Sequence, residues 1–446
     1  MSPSAIVIGG GWAGLSCAVE LVQHGYRVTL LEAAPQLGGR ARSIKFAGLT
    51  VDNGQHLLIG AYRQTLKLLE NIGHNEADLF TRLPMQLLLN QPSKENIYLK
   101  LPRFLPAPFN LAWALLKIRG FSWPERFRAL TFSLRMWLRG FQLSEDQGLA
   151  SLLQANGQNR DLIDNLWEPL CLATLNTPIQ EASAQLFLNV LRDTFNRQTS
   201  DTDILLPHTD IGQLLPDKAS DWLNRHGGKI ILASRVSKLS HDGSKITAVI
   251  CGEQRYHADQ VVLACPLDDS RRLVQDIPQL STLRTSLQSL DSYPITTIYL
   301  RYEDNPELPY PLNGLLGTSS QWLVDRAHCQ QANLLSVVIS GPGPHMEMDK
   351  ETLAERVIGE IQSLYPALPP PLEHMVIKEK RATFRAVAGV NKYRPHNQTA
   401  LTNLWLAADF TYGPYPATLE GAVQSGVQCA RLINKQSRSS REEQST

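Results

Sequence analysis

The 446-residue sequence predicts an α/β chain, α+β overall: a parallel sheet with helices, into which a second domain of helices and mixed sheet is inserted. Three observations carry this. Ala5-Ile-Val-Ile8, a glycine-rich turn, a helical pattern over residues 13–24 and a second apolar run ending at Glu32 form one β-α-β unit. Strand-like runs return at 229–232, 235–239, 245–250, 260–264 and 404–409, with a helix from about 418 to 434. Between these blocks the composition changes. Residues 76–204 are mainly helical and rich in Leu, Phe and Trp, and 291–394 hold strand candidates at 295–302, 334–340 and 375–384.

Each part of that outline has a local cause. A short continuous apolar run suits a strand covered on both faces. Gly25 stops the first helix, and Asp242-Gly243 supplies a turn between two strands. The predicted division is 1–75, 205–290 and 395–434 for the first domain, 76–204 and 291–394 for the second, and a polar, disordered tail over 435–446.

Composition narrows the class. Hydrophobic residues are 43% and charged residues 19%, enough apolar material for a large core. The net charge of +1 argues against a nucleic-acid partner, which calls for a basic excess. Six cysteines without a CxxC pair fit a reducing compartment rather than a disulfide scaffold. The eleven histidines show no paired spacing, so no metal site is expected. No targeting segment or 18-residue apolar run is apparent, which predicts a cytoplasmic chain.

Gly9-Gly10-Gly11-Trp12-Ala13-Gly14 fits the G-x-G-x-x-G pattern of a Rossmann-like dinucleotide site. Gly9 permits the tight turn, Gly11 lets backbone approach a pyrophosphate, and Gly14 lets helix and strand pack closely. Trp12 and Ala13 open the helix whose N–H groups face the phosphates. Glu32 ends the second strand, where an acid accepts from ribose hydroxyls. A second element, Leu37-Gly-Gly-Arg-Ala-Arg42, selects FAD over NAD. Gly39 gives close backbone approach, and Arg40 and Arg42 can neutralise pyrophosphate or shape the flavin edge. In a third element, Asp409 follows a strand and can accept from ribityl hydroxyls. Thr418 and Leu419 open a helix whose N–H groups can stabilise reduced flavin.

Together these elements resemble the amine oxidase and phytoene desaturase superfamily of FAD proteins. Residues 51–60 (VDNGQHLLIG), 166–178 (LWEPLCLATLNTP) and 183–193 (SAQLFLNVLRD) resemble the hydroxysqualene dehydroxylase family, as do Lys380-Arg-Ala-Thr-Phe384 and residues 416–421. The resemblance spans about residues 4–433. It implies an amine oxidase-like fold and replacement of the hydroxyl of a C30 isoprenoid alcohol by hydride from reduced FAD. It also places Gln55 and His56 beside the flavin and Val236 where backbone meets adenine. Ala408 departs from the glycine usual before the acid.

Hydroxide leaves an allylic carbon poorly, so the reaction needs an acid, a dry site and a hydride donor. Asp52, His56 and Glu168 are the candidate acids: the first two for their nearness to the flavin elements, Glu168 for its apolar surroundings. Cys429 lies inside the last helix and is expected to pack there rather than bind flavin covalently. With no second dinucleotide fingerprint, electrons are expected from NAD(P)H directly or from a reductase. The cofactor elements alone serve a carotenoid-type desaturase or an amine oxidase equally well. A flavin-free prenyl-lipid carrier is disfavoured by the intact cofactor motifs.

One segment stands apart. Residues 100–141 hold Lys100, Arg103, Lys117, Arg119, Arg126, Arg128, Arg135 and Arg139 against the single acid Glu125, a local balance of +7. Trp113, Phe121, Trp123, Phe127, Phe132 and Trp137 are interleaved with them. Two placements suit the pattern: contact with an anionic membrane at the inner face of the cell membrane, or a helical pair lining a core or substrate tunnel.

Overall fold

The structure, a computed structural model, describes residues 2–92 and 94–444. Five parallel strands form the first sheet, in the order Lys229–Ile231, Arg27–Leu31, Ser4–Ile8, Gln260–Leu263, Leu404–Leu406. Both faces are covered, which is why the first strand reads as an unbroken apolar run: Ala5, Ile6, Val7 and Ile8 are all buried. The helices Trp12–Gln23 and Leu419–Gln444 pack against each other on one face. Gly25, at φ +85°, ends the first helix.

The second sheet has seven strands and is mixed. Its order is Glu373–Phe384, Ser292–Arg301, Leu334–Ser340, Trp322–Asp325, Leu312–Leu315, Gln86–Asn90, Ile97–Lys100. Only the pairing of Leu312–Leu315 with Gln86–Asn90 is parallel. Period-two alternation gives this sheet two different faces. Leu335, Val337 and Ile339 pack with Val357 and Ile361 of the helix Lys350–Leu364, whereas Val338 and Ser340 turn to a large cavity. Helices Phe109–Lys117, Trp123–Leu138, Glu168–Leu175 and Ala184–Phe195 enclose the rest of that cavity.

Two expectations need correction and a third is refined. The 76–204 segment is mainly helical, as expected, but it also contributes strands Phe80–Leu83, Gln86–Asn90 and Ile97–Lys100. Gln-Leu-Leu-Leu-Asn is too short for periodicity to separate strand from helix, and pairing with distant strands decides it. The strand expected over 235–239 is Lys238–His241; the carbonyls of Val236 and Ser237 accept from Arg272 rather than from a neighbouring strand. The polar stretch from 435, expected as a tail, continues the final helix to Gln444, with Ser437 Oγ 2.7 Å from the Tyr26 hydroxyl. Residues 445 and 446 lie outside the described residues. No described helix is long and apolar enough to cross a membrane.

Candidate functional site

The carboxyl ends of the parallel strands meet at the Gly9–Gly14 turn. Gly9 sits at φ +112°, and a Cβ on Gly14 would strike the Gly9 carbonyl oxygen, so this strand–turn–helix admits no side chain there. Gly11 differs. A Cβ on it meets only the Gly39 Cα, 4.0 Å away, so backbone N–H groups face open space at the helix start. Gly39 approaches from the other side at φ +61°. The two glycine elements are joined by a bridge between Gly11 and Gly38 and by the bond from the Gly38 N–H to the Gly10 carbonyl (2.9 Å). Glu32 accepts from the N–H groups of Gly10 (2.6 Å) and Ala34 (2.7 Å). A carboxylate has about four acceptor positions, so capacity for a ribose hydroxyl remains.

Arg40 and Asp409 close the other wall. Arg40 Nη2 lies 2.8 Å from Asp409 Oδ2, and its Nη1 donates to the Ala382 carbonyl at 2.5 Å. Burial opposes the Arg40 charge, but the Asp409 carboxylate outweighs it and lifts the guanidinium above its usual pKa. Arg394, absent from the sequence reading, fixes the loop behind Asp409. It donates to the carbonyls of Asp409 (3.1 Å), Gly413 (3.0 Å) and Tyr415 (2.9 Å). Burial pulls its pKa down to about 10 against the pull of Asp409. Thr418 caps the last helix, its Oγ1 accepting from the Gly421 N–H at 3.0 Å.

One cavity of about 720 Å³ unites these groups. Gly9, Gly11, Trp12, Ala13, Glu32, Gly39, Arg40, Gln55, His56, Val236, Asp409, Thr418 and Leu419 all line it, with Ala408 beside them. Gly14 and Arg42 do not. Gly14 is spent on helix–strand packing, and Arg42 turns back to donate to the Gly39 carbonyl (2.7 Å). Val236 lies in the lining with its carbonyl accepting from Arg272 Nη2 at 3.0 Å.

Two of the three candidate acids, Asp52 and Glu168, lie outside the cavity lining. Asp52 is buried away from the cavity in an ion pair with Arg326 (2.8 Å), and it also accepts from the Ile211 N–H (2.7 Å). So held, its carboxylate does not line the cavity. Glu168 likewise does not line the cavity. Its neighbours Leu166, Trp167 and Leu170 do, and the segment that carries them includes a π-helical turn over Ile163–Trp167. Pro169 accounts for that turn in part, since it lacks the N–H of a regular helical bond. Burial does raise the Glu168 pKa, as expected, followed by repulsion from Asp164. His56 lines the cavity, but burial lowers its pKa and favours the neutral ring.

A different pair stands at the cavity wall. The Tyr415 hydroxyl donates to Asp193 Oδ2 at 2.6 Å, and Asp193 also faces Arg192 (2.8 Å) and Arg197 (3.6 Å). Burial and then Asp193 push the phenol pKa up. Burial alone would raise Asp193, but its hydrogen bonds to Arg192 and Tyr415 hold it below its usual value. Both residues adjoin quoted motifs, Asp193 ending one and Tyr415 preceding the other, yet nothing local in sequence pairs them. The same cavity is also walled by Phe187, Leu191, Leu111 and Leu115, in largely apolar surroundings.

The arrangement fits a dinucleotide with a long apolar neighbour: a groove where Gly11 and Gly39 approach each other without side chains, an acid at the ribose end, an arginine–aspartate pair and a helix N-terminus. The chain belongs to the family of flavin containing amine oxidoreductases, whose model matches residues 12–434. It is a flavin-dependent oxidoreductase with FAD as cofactor. Within that class it is similar to the hydroxysqualene dehydroxylases of Rhodopseudomonas palustris and Zymomonas mobilis. The first is 30% identical over 448 residues, covering 97% of this chain and 99% of that protein. The second is 27% identical over 432 residues, covering 96% and 98%. Among solved structures, an oxidoreductase from Methanosarcina mazei shares the fold, with a TM-score of 0.76 at 16% identity over 95% of this chain and 99% of that one.

Proposed function

We propose that this chain removes the hydroxyl group of hydroxysqualene, a C30 isoprenoid alcohol, and replaces it with hydrogen to give squalene. The observation that carries this reading is the continuity of the cavity, which runs from the Gly11–Gly39 groove into an apolar chamber between Phe187, Leu191, Leu111 and Leu115. The names of the relatives support it, and the apolar chamber suits a hydrocarbon rather than a charged amine.

FAD, when bound and reduced, supplies the hydride. The balance is one alcohol, one hydride and one proton giving one hydrocarbon and one water. The chain's own residues do the rest. Gly11 and Gly39 bring backbone to the pyrophosphate, and Asp409, pinned by Arg40 and Arg394, closes that end. The apolar wall excludes bulk water, which would otherwise capture an allylic cation. The Tyr415 Oη, bonded to Asp193, holds a proton at the cavity wall. Neutral His56 can donate one hydrogen bond there but carries no proton to spare.

Anaerobic incubation of the dithionite-reduced protein with hydroxysqualene, followed by mass spectrometry, tests the reaction. Squalene is the expected product. Unchanged alcohol, or a product with additional double bonds, would overturn the reading, the latter in favour of a desaturase.

A further inference from the structure

We infer that the outer face of helices Phe109–Lys117 and Trp123–Leu138 docks on an anionic lipid bilayer, and that the isoprenoid alcohol reaches the cavity through these two helices. The delivery half of this inference rests on the proposed reaction; the docking half does not.

The first observation is where apolar surface is left uncovered. Of the twelve large hydrophobic side chains exposed among the described residues, eight fall between Phe104 and Leu138. Phe104 is 76% exposed, Leu138 70%, Phe109 62% and Trp123 59%. A water-facing helix normally presents polar residues on that side.

The second is their geometry. At about 100° per residue, Trp123, Phe127, Leu134 and Leu138 fall within about 60° of one another around the helix axis. Ala129, Phe132 and Met136, the buried residues of the same helix, fall on the opposite side. The helix therefore has two apolar faces, one for the core and one for something outside. On the neighbouring helix, Trp113 and Phe109 are exposed while Ala114 and Leu115 are buried. Phe121 and Phe132, interleaved with the same basic residues, are core residues.

The third is charge. Arg128, Arg135 and Arg139 lie beside the apolar stripe on exposed positions, and Lys117 stands 5.4 Å from the Trp113 ring centre and Arg126 4.8 Å from that of Trp123. Amphipathic aromatics with adjacent cations match the headgroup level of an anionic bilayer. The local excess of +7 in a chain of +1 selects a negatively charged partner.

The fourth connects surface to site. Leu111, Leu115 and Ser133 of these same helices line the cavity. The elements that present apolar side chains outward thus also wall the chamber, and a water-insoluble substrate has a short path between the two.

The test is flotation of the intact flavoprotein with vesicles of phosphatidylcholine alone or mixed with phosphatidylglycerol. The protein should float with the anionic vesicles and bind neutral ones about tenfold less. The triple variant Trp123→Ser, Phe127→Ser, Leu138→Ser should remain unbound while keeping its flavin absorbance. It should also keep its turnover of detergent-dispersed hydroxysqualene and lose turnover of vesicle-borne substrate. Failure of the unaltered protein to float with anionic vesicles would overturn the inference, as would flotation of the variant at its full level. So would dimers in solution that the variant abolishes, seen with no vesicle binding, which would assign the face to a second copy. If neither protein turns over hydroxysqualene in detergent, the proposed reaction falls, while flotation still decides the docking.

Discussion

Tyr415 and Asp193 show how a site forms from residues 222 positions apart. Each alone is ordinary; the 2.6 Å bond between them puts a protonated phenol against a carboxylate at the cavity wall. Tyr415→Phe removes that proton and leaves the ring. Turnover should fall about a hundredfold, the lower end of the usual range for proton-transfer groups, with flavin content unchanged. Unaltered turnover would remove Tyr415 from the reaction. His328 gives a second prediction at this scale. Burial, then the charge of Arg326, lowers its pKa to about 4, against about 6.5 in an unfolded chain. Between those two values the unfolded chain holds the proton and the folded one does not. Stability is therefore full above about pH 7 and falls as pH drops through that window, by up to about 3 kcal/mol from this group. Urea unfolding between pH 7 and 4.5 measures the slope; His328→Gln should flatten it, and an unchanged slope would place the cause elsewhere.

Among the elements, the Gly9–Gly14 turn was legible because its demands are local. A strand, three glycines at fixed spacing, a helix and a terminal acid all lie within 32 residues. The Arg40 and Asp409 elements were legible for the same reason: each is a short run beside a strand end. Asp52 was misread because its partner, Arg326, is 274 residues away and turns the carboxylate from the cavity. Glu168 was misread because composition alone does not say which side of 163–175 faces the cavity: Leu166, Trp167 and Leu170 line it and Glu168 does not. Arg394 carried no signal, since its role is to bond carbonyls of a loop that only the fold brings to it. The turn supplies the prediction for this scale. Gly14→Val puts side-chain atoms into the Gly9 carbonyl, so the purified protein should lack the flavin spectrum and should not regain it with added FAD. A yellow variant with normal absorbance would show that the turn tolerates the change and that the close packing is unimportant.

At the scale of the molecule, two sheets and a set of helices share one cavity, and each contributes a different chemistry. The parallel sheet brings strand ends and helix starts to the cofactor groove. One face of the seven-stranded sheet and the helices supply an apolar chamber, and the outward faces of two of those helices carry the exposed aromatics. The lining passes from a polar groove to a largely apolar space, which suits the proposed hydride delivery to a short-lived cation. The most direct measurement is single turnover. Anaerobically reduced protein, mixed with hydroxysqualene, should regain the oxidised flavin spectrum as squalene forms, one molecule for each flavin reoxidised. Squalene formed without flavin reoxidation, or flavin that stays reduced while the alcohol persists, would contradict the account.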